Sequence, residues 1–188
     1  VYPEAIMRAA PIAFAVIMSG VSIGSAQQPD LRSRAEISNY EETSSDADIQ
    51  RVIDGLVSTS PLVHTESFGQ TEEGRDLPLL VISEPKVTTP EAARKLGRPL
   101  VFVQANIHAG EVEGKEAMLW LLRSIAKNEH AAWFQHVVLL INPIYNADGN
   151  ERVNIRNRGS QNGPVGGMGQ RHNAQDLDLN RDNTKLET

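Results

Sequence analysis

Residues 101–122 read VFVQANIHAGEVEGKEAMLWLL, and the fold turns on how this stretch divides. Its first part is apolar and β-branched, the composition of a strand buried on both faces. Its last part repeats apolar residues at helical spacing: between Glu113 and Asn128, Met118, Leu121, Leu122 and Ile125 fall on one face. At the corner between the two stand His108 and Glu111, three residues apart. A second apolar run, HVVLLINPIYNADG (136–149), reads as another buried strand, ended by Pro143 and a turn at Ala147-Asp148-Gly149. Strand, helix and strand in that order predict a parallel pair joined by a crossover helix. Ligands of open α/β sheets collect outside the carboxyl ends of the strands, which is where His108 and Glu111 fall.

Upstream of this unit, DADIQRVIDGLVSTSP (46–61) places Ile49, Val52, Ile53 and Leu56 at helical spacing, with Asp46 or Asp48 as cap and Pro61 beyond the end. HTESFGQTEEGRDLPLLVIS (64–83) reads as a hairpin with arms Val63 to Phe68 and Leu77 to Ile82 and a turn at Glu72-Glu73-Gly74. Thr89 caps a short helix or loop that begins at Pro90. Downstream of Gly149 the periodicity stops. Five glycines lie between Gly159 and Gly169 and five arginines between Arg152 and Arg181. A long segment of this texture inside a compact domain is functional or disordered.

The 188 residues are 40% hydrophobic and 22% charged, with a formal net charge of −6. That excess of acid argues against nucleic acid and anionic membrane surfaces as partners. There is no cysteine, which removes disulfides, thiolate metal sites and cysteine nucleophiles from consideration. The N-terminal stretch MRAAPIAFAVIMSGVSIGSAQQ (7–28) has a basic start at Arg8, an apolar run to Ile23, and Gly24 and Ala26 at the −3 and −1 positions of a cleavage site. It reads as a secretory signal ending at Ala26, with residues 1–6 ahead of the natural-looking start at Met7. The run is shorter than the ~20 residues of a membrane span. Residues 27–45 are polar and weakly patterned and read as a linker; the domain proper is expected over 46–188. Secretion or a place in a bacterial envelope follows.

The chemistry begins with donor types. A neutral imidazole and a carboxylate are both good first-row metal ligands, and two histidines with one glutamate form a known catalytic zinc set. A lone His-x-x-Glu pair is common by chance; its companions decide. NIHAGEVEGKEA resembles the first zinc motif of the zinc carboxypeptidases, the carboxypeptidase A-like metallopeptidases. INPIYNADGNER resembles their Asn-Pro-Asp-Gly segment, with an insertion between Pro143 and Asp148. LDLNRD resembles their Asp-Leu-Asn-Arg motif, and SFGQTEEGRDLPLLVI the hairpin near the start of their domain. The four come in the family's order.

The resemblance implies that His108 and Glu111 are zinc ligands, that Asn180 and Arg181 hold the terminal carboxylate of a peptide or acylated amino acid, and that an arginine polarises the scissile carbonyl. For that arginine the candidates are Arg152, Arg156, Arg158 and Arg171, with Arg158 favoured. His172 also lies near this region. The family's third zinc ligand is a later histidine and its general base a still later glutamate. No histidine follows Arg181 here, so the expected fold is the early part of an α/β domain with a mixed, mostly parallel sheet between helices, and the 188 residues alone are expected to be inactive. The expected function is zinc-dependent hydrolysis of C-terminal peptide bonds. A zinc deacylase or amidase on the same fold, and a non-catalytic binder of peptide C-termini, stay open as readings.

N-terminal sequencing of the exported protein should find residue Gln27 first. A mature chain starting at Met7 or Val1 in the envelope fraction would exclude a cleaved signal.

Overall fold

The computed structural model describes residues 28–182; the proposed signal at 1–26 lies outside the described residues. Two helices that begin on capping boxes open the described chain. In α1 (Arg34–Ile37) Ser33 accepts from the Glu36 N–H while Glu36 returns to the Ser33 N–H, and in α2 (Asp46–Thr59) Ser45 and Asp48 do the same. The cap of α2 is therefore Ser45, one residue before Asp46 and three before Asp48, the two expected caps. A hairpin follows, β1 (Val63–Gln70) and β2 (Asp76–Ile82), then α3 (Pro90–Lys95) on its Thr89 cap. Next come β3 (Leu100–Gln104), α4 (Val112–Ala126), β4 (Val138–Asn142) and α5 (Ala147–Glu151). Residues 147–149, expected as a turn, form the first turn of α5, because Asn146 caps it by accepting from the Gly149 N–H at 2.9 Å.

The four strands lie in the order β1-β2-β4-β3. β1 pairs with β2 and β2 with β4 in antiparallel fashion; β3 and β4 are parallel and joined by α4, as the sequence predicts. The sheet is mixed, and its parallel share among the described strands is this one pair. Strand periodicity sends alternate residues to opposite faces. Leu80, Ile82 and Ile141 meet Ile49, Val52, Ile53 and Leu56 of α2 and Leu119, Leu122 and Ile125 of α4. On the other face Val81 and Leu140 meet Ala93 and Leu96 of the α3 region. Helices thus cover both faces.

β3 departs from the expectation of a buried strand. Leu100, Val101 and Phe102 are 51%, 40% and 53% exposed. The register explains Leu100 and Phe102: they pair beside Val138 and Leu140 on the face of α3, and a helix of six residues spans Val138 and Leu140 without reaching the border strand, while Val101 lies on the opposite face beside Leu139. An apolar run predicts burial by composition, but position in the sheet decides it.

Residues 28–45, expected as a linker, are packed. Pro29 and Leu31 lie over Gly55 of α2, where a Cβ would meet Leu31 at 2.6 Å. Arg123 of α4 binds Glu36 at 2.6 Å, and Glu116 accepts from Thr43 Oγ1, Ser44 N and Ser44 Oγ. Beside this seam Lys115 is fully buried. Its ammonium donates to the Ser44 carbonyl at 2.6 Å and to Asn150 Oδ1. Polar bonds confined to a few scattered serines and acids give no periodic signal, so the sequence hides this anchorage. No helix among the described residues is long and apolar enough to cross a membrane.

Burial pushes the Lys115 ammonium down to about 8 from an ordinary 10.5. Between those values the unfolded chain holds the proton that the folded chain has released, so this group's contribution to stability rises with pH across that window. Wild type should gain about 1–2 kcal/mol on Lys115→Met between about pH 7.5 and about pH 9.5 in urea unfolding. A difference that stays flat with pH would show that the ammonium keeps its proton.

Candidate functional site

The site is assembled where β3 and β4 end. Past Gln104 the backbone stays laced to the neighbouring chain: Ala105 N donates to Asn142 O, Tyr145 N to Ala105 O, and Asn146 N to Asn106 O. This lacing delivers Ile107 and His108 at a fixed height above the sheet. The Glu111 N–H then donates to the His108 carbonyl at 2.9 Å, closing a turn, and α4 starts at the next residue. Glu111 occupies the cap position of α4 without capping it; its side chain turns back to His108 instead.

His108 is 4% exposed. Its Nδ1 lies 3.1 Å from Glu111 Oε1 and its Nε2 lies 2.9 Å from Asp178 Oδ1. Both sequence-predicted ligands are therefore together, and a third group, Asp178, completes the contact. Asp178 also accepts from the Asn180 N–H at 3.0 Å and from Arg171 Nε at 2.9 Å. Burial by itself would raise the Asp178 carboxyl, but the bonds from His108, Arg171 and the Asn180 backbone outweigh it and hold the group well below the usual carboxylate range. Glu111 follows the same pattern, its burial outweighed by bonds to His108 and Arg158.

Arg158 donates from Nη2 to Glu111 Oε1 at 3.0 Å, so the favoured arginine of the long loop does reach the site. Arg171 reaches it from the other side through Asp178. Arg152 pairs with Glu73 on the rim, away from His108. His172 pairs with Asp176 at 3.0 Å. Asn180 and Arg181 are exposed on the short turn Leu179–Arg181 that Asp178 caps, which sets them two and three residues from the carboxylate on His108. The motif that named Asn180 and Arg181 already contains Asp178: a carboxylate beside a binding turn is a natural partner for a ligand's second ring nitrogen. Arg171 carries no comparable sequence signal, because its place depends on how the loop folds.

That loop is held down rather than free. Gln170 N donates to Gly149 O, and Asn157 Nδ2 to Met168 O. The Asn146 carboxamide donates to the carbonyls of Arg171 and His172. At the hairpin tip the buried Asp148 accepts from Thr71 Oγ1 at 2.7 Å, from Glu73 N at 3.2 Å and from Arg75. Close approach is possible because Gly110 faces Arg158 and the Gly169 carbonyl, with less than 3 Å left for a Cβ.

No ligand or metal is present, and the donor pair can be tested against one on geometry. Bonds of ~2.0–2.2 Å at tetrahedral angles separate two zinc donors by ~3.3 Å. The 3.1 Å between Nδ1 and Oε1 is an ordinary hydrogen-bond length that is also compatible with that spacing. With Nε2–H donated to Asp178, the remaining ring nitrogen is presented beside Glu111, the arrangement of a histidine ligand oriented by a carboxylate. The pair fits zinc. Among the described residues no cluster of three or more His, Cys, Asp or Glu side chains is arranged to hold a metal.

Comparison with known proteins gives the same direction. The profile of the zinc carboxypeptidases matches residues 49–186, and the chain belongs to that family. Mouse Carboxypeptidase Z is 32% identical over 129 residues, covering 65% of this chain and 18% of the mouse protein. Carboxypeptidase 2 of Trichophyton rubrum is 33% identical over 96 residues, covering 49% of this chain and 17% of the fungal protein. The chain thus spans under a fifth of the length of these relatives. A crystal structure of a candidate carboxypeptidase A from Shewanella denitrificans OS-217 superposes with a TM-score of 0.50 at 25% identity, over 70% of this chain and 30% of that one.

Gly169 makes a tight crossing in the site: a Cβ there would meet the Gly149 carbonyl at 2.6 Å and the Ala109 side chain at 2.9 Å. Gly169→Ala should cost ~1–3 kcal/mol in chemical unfolding. An unchanged unfolding midpoint would mean the loop is not seated on Ala109 and Gly149.

Proposed function

We propose that this chain serves a zinc-dependent metallocarboxypeptidase that hydrolyses C-terminal peptide bonds, acting outside the cytoplasm. The observation that carries the reading is the His108–Glu111 donor pair at zinc spacing, in a chain of the zinc carboxypeptidase family. His108 and Glu111 would hold the ion. Zinc in such a site polarises the scissile carbonyl and lowers the pKa of a water.

The chain's own residues divide the remaining tasks. Asp178 orients His108 by accepting its Nε2–H. Asn180 and Arg181, on the turn that Asp178 caps, take the substrate's terminal carboxylate, since a planar guanidinium binds both carboxylate oxygens at once. For the arginine at the scissile carbonyl the geometry favours Arg171 over Arg158. Arg158 rests on Glu111 Oε1, the oxygen that faces His108; a zinc ion and a guanidinium on that one oxygen would repel. Arg158 braces the ligand carboxylate. Arg171 is held by Asp178, on the far side of His108 from Glu111, next to the Asn180–Arg181 turn.

The test reads zinc and peptide separately on the 188-residue chain. In a zinc titration, His108→Ala should lose most of the bound metal while Arg181→Ala binds as wild type, because only the first removes a donor. Peptides with a free C-terminal carboxylate should bind more tightly than their amides, and Arg181→Ala should weaken the free-carboxylate peptide by ~10–100-fold. Full zinc in His108→Ala would remove the metal site, and equal binding of acid and amide would remove the carboxylate clamp.

A further inference from the structure

Asn106 stands two residues before His108 in the left-handed region, with φ +60°. It is 5% exposed. Its carboxamide nitrogen donates to the carbonyls of Ala109 and Glu111, each at 3.3 Å. One carbonyl lies within the spacer between the two candidate ligands and the other on Glu111 itself. The spacer itself, Ala109-Gly110, has no polar side chain, and Glu111 supplies no cap bond to the helix that follows. Apart from the turn bond from Glu111 N to His108 O, the two bonds from Asn106 are what ties the peptide planes of residues 109–111 to the end of β3. A rotation of those planes would swing the Glu111 side chain away from His108 Nδ1.

Asn106 is also coupled to the opposite wall. Its own carbonyl accepts from the Asn146 N–H at 3.0 Å, and the Asn146 carboxamide holds the carbonyls of Arg171 and His172. Two buried asparagines back to back thus fix the loop that carries Glu111 and the loop that carries Arg171. Asparagine suits the first position for two reasons at once: it tolerates a positive φ better than other L side chains, and it offers two N–H donors to converging carbonyls.

We infer that Asn106 is a positioning residue of the site, its carboxamide fixing the approach of Glu111 Oε1 to His108 Nδ1 by holding the carbonyls of Ala109 and Glu111. The inference rests on the reading of His108 and Glu111 as the metal pair. The alternative is that Asn106 is present only because the backbone turns left-handed there. Asn106→Gly separates the two, since glycine adopts that φ without strain and keeps the turn while deleting both donors. Zinc is titrated calorimetrically into the 188-residue chain, and cobalt is added in parallel so that its visible absorption reports ligand geometry. Asn106→Gly should raise the Kd for zinc ~10–100-fold and alter the cobalt band, with the fold retained by circular dichroism. Wild-type zinc affinity and an unchanged cobalt band in Asn106→Gly, with binding lost in His108→Ala, would overturn the inference alone. Zinc retained in His108→Ala would overturn the metal-pair reading and the inference with it.

Discussion

A histidine buried to a few per cent exposure with a carboxylate at each ring nitrogen is the constraint around which this structure is arranged. Polar groups withdrawn from water are costly unless every bonding position is met. His108 meets both, one from a residue three positions away and one from a residue seventy positions away. The local partner requires the chain to leave the strand at Gln104 and to begin a helix at Val112, right after Glu111. The distant partner requires the segment after α5 to return over the strand ends and stop there. Neither carboxylate is held by the histidine alone: Arg158 bonds one and Arg171 the other.

The same device recurs around it. Single polar side chains, buried or half-buried, tie together the segments that resemble the zinc carboxypeptidases. Asp148 of the Asn-Pro segment gathers the hairpin tip through Thr71, Glu73 and Arg75. Asn146 of that segment holds the approach to the Asp-Leu-Asn-Arg turn. Asp178 of that turn holds the first motif. The apolar core beneath, α2 and α4 on the sheet, sets the platform, but it is indifferent to how the loops above it are arranged. Directional bonds from a few buried carboxylates and carboxamides select one arrangement.

How much of this can be read from sequence follows from range. His108 and Glu111 are legible because three residues across a turn nearly determine proximity. The hairpin, α2, α3 and the crossover from β3 through α4 to β4 are legible because periodicity is a local property. Asn180 and Arg181 were legible only through resemblance, and the structure places them beside the site because Asp178 caps their turn. What was not legible depends on contacts between distant segments. Composition makes β3 look interior, and only its sheet neighbours reveal it at the border. Residues 28–45 look like spacer because their grip on α4 runs through single side chains such as Glu36 and Ser44. The sequence reading prefers Arg158 to Arg171 with no periodicity in the loop to guide it; the fold puts them on opposite sides of His108.

The buried Lys115 gives this architecture a built-in gauge. Amine-directed acylating reagents modify lysines at the surface at once, but they reach Lys115 only when the seam between residue 44 and α5 parts, since its ammonium is enclosed there by Ser44 and Asn150. Once the seam parts, the amine is solvated like the other lysines and reacts as they do, so its slow modification reports the opening itself. The rate at which one peptide, the N-terminal turn of α4, acquires an acyl group therefore measures how often the lead-in segment lifts from the domain. That clock sits one helical turn from Glu111, so it times the breathing of the ground on which the site stands.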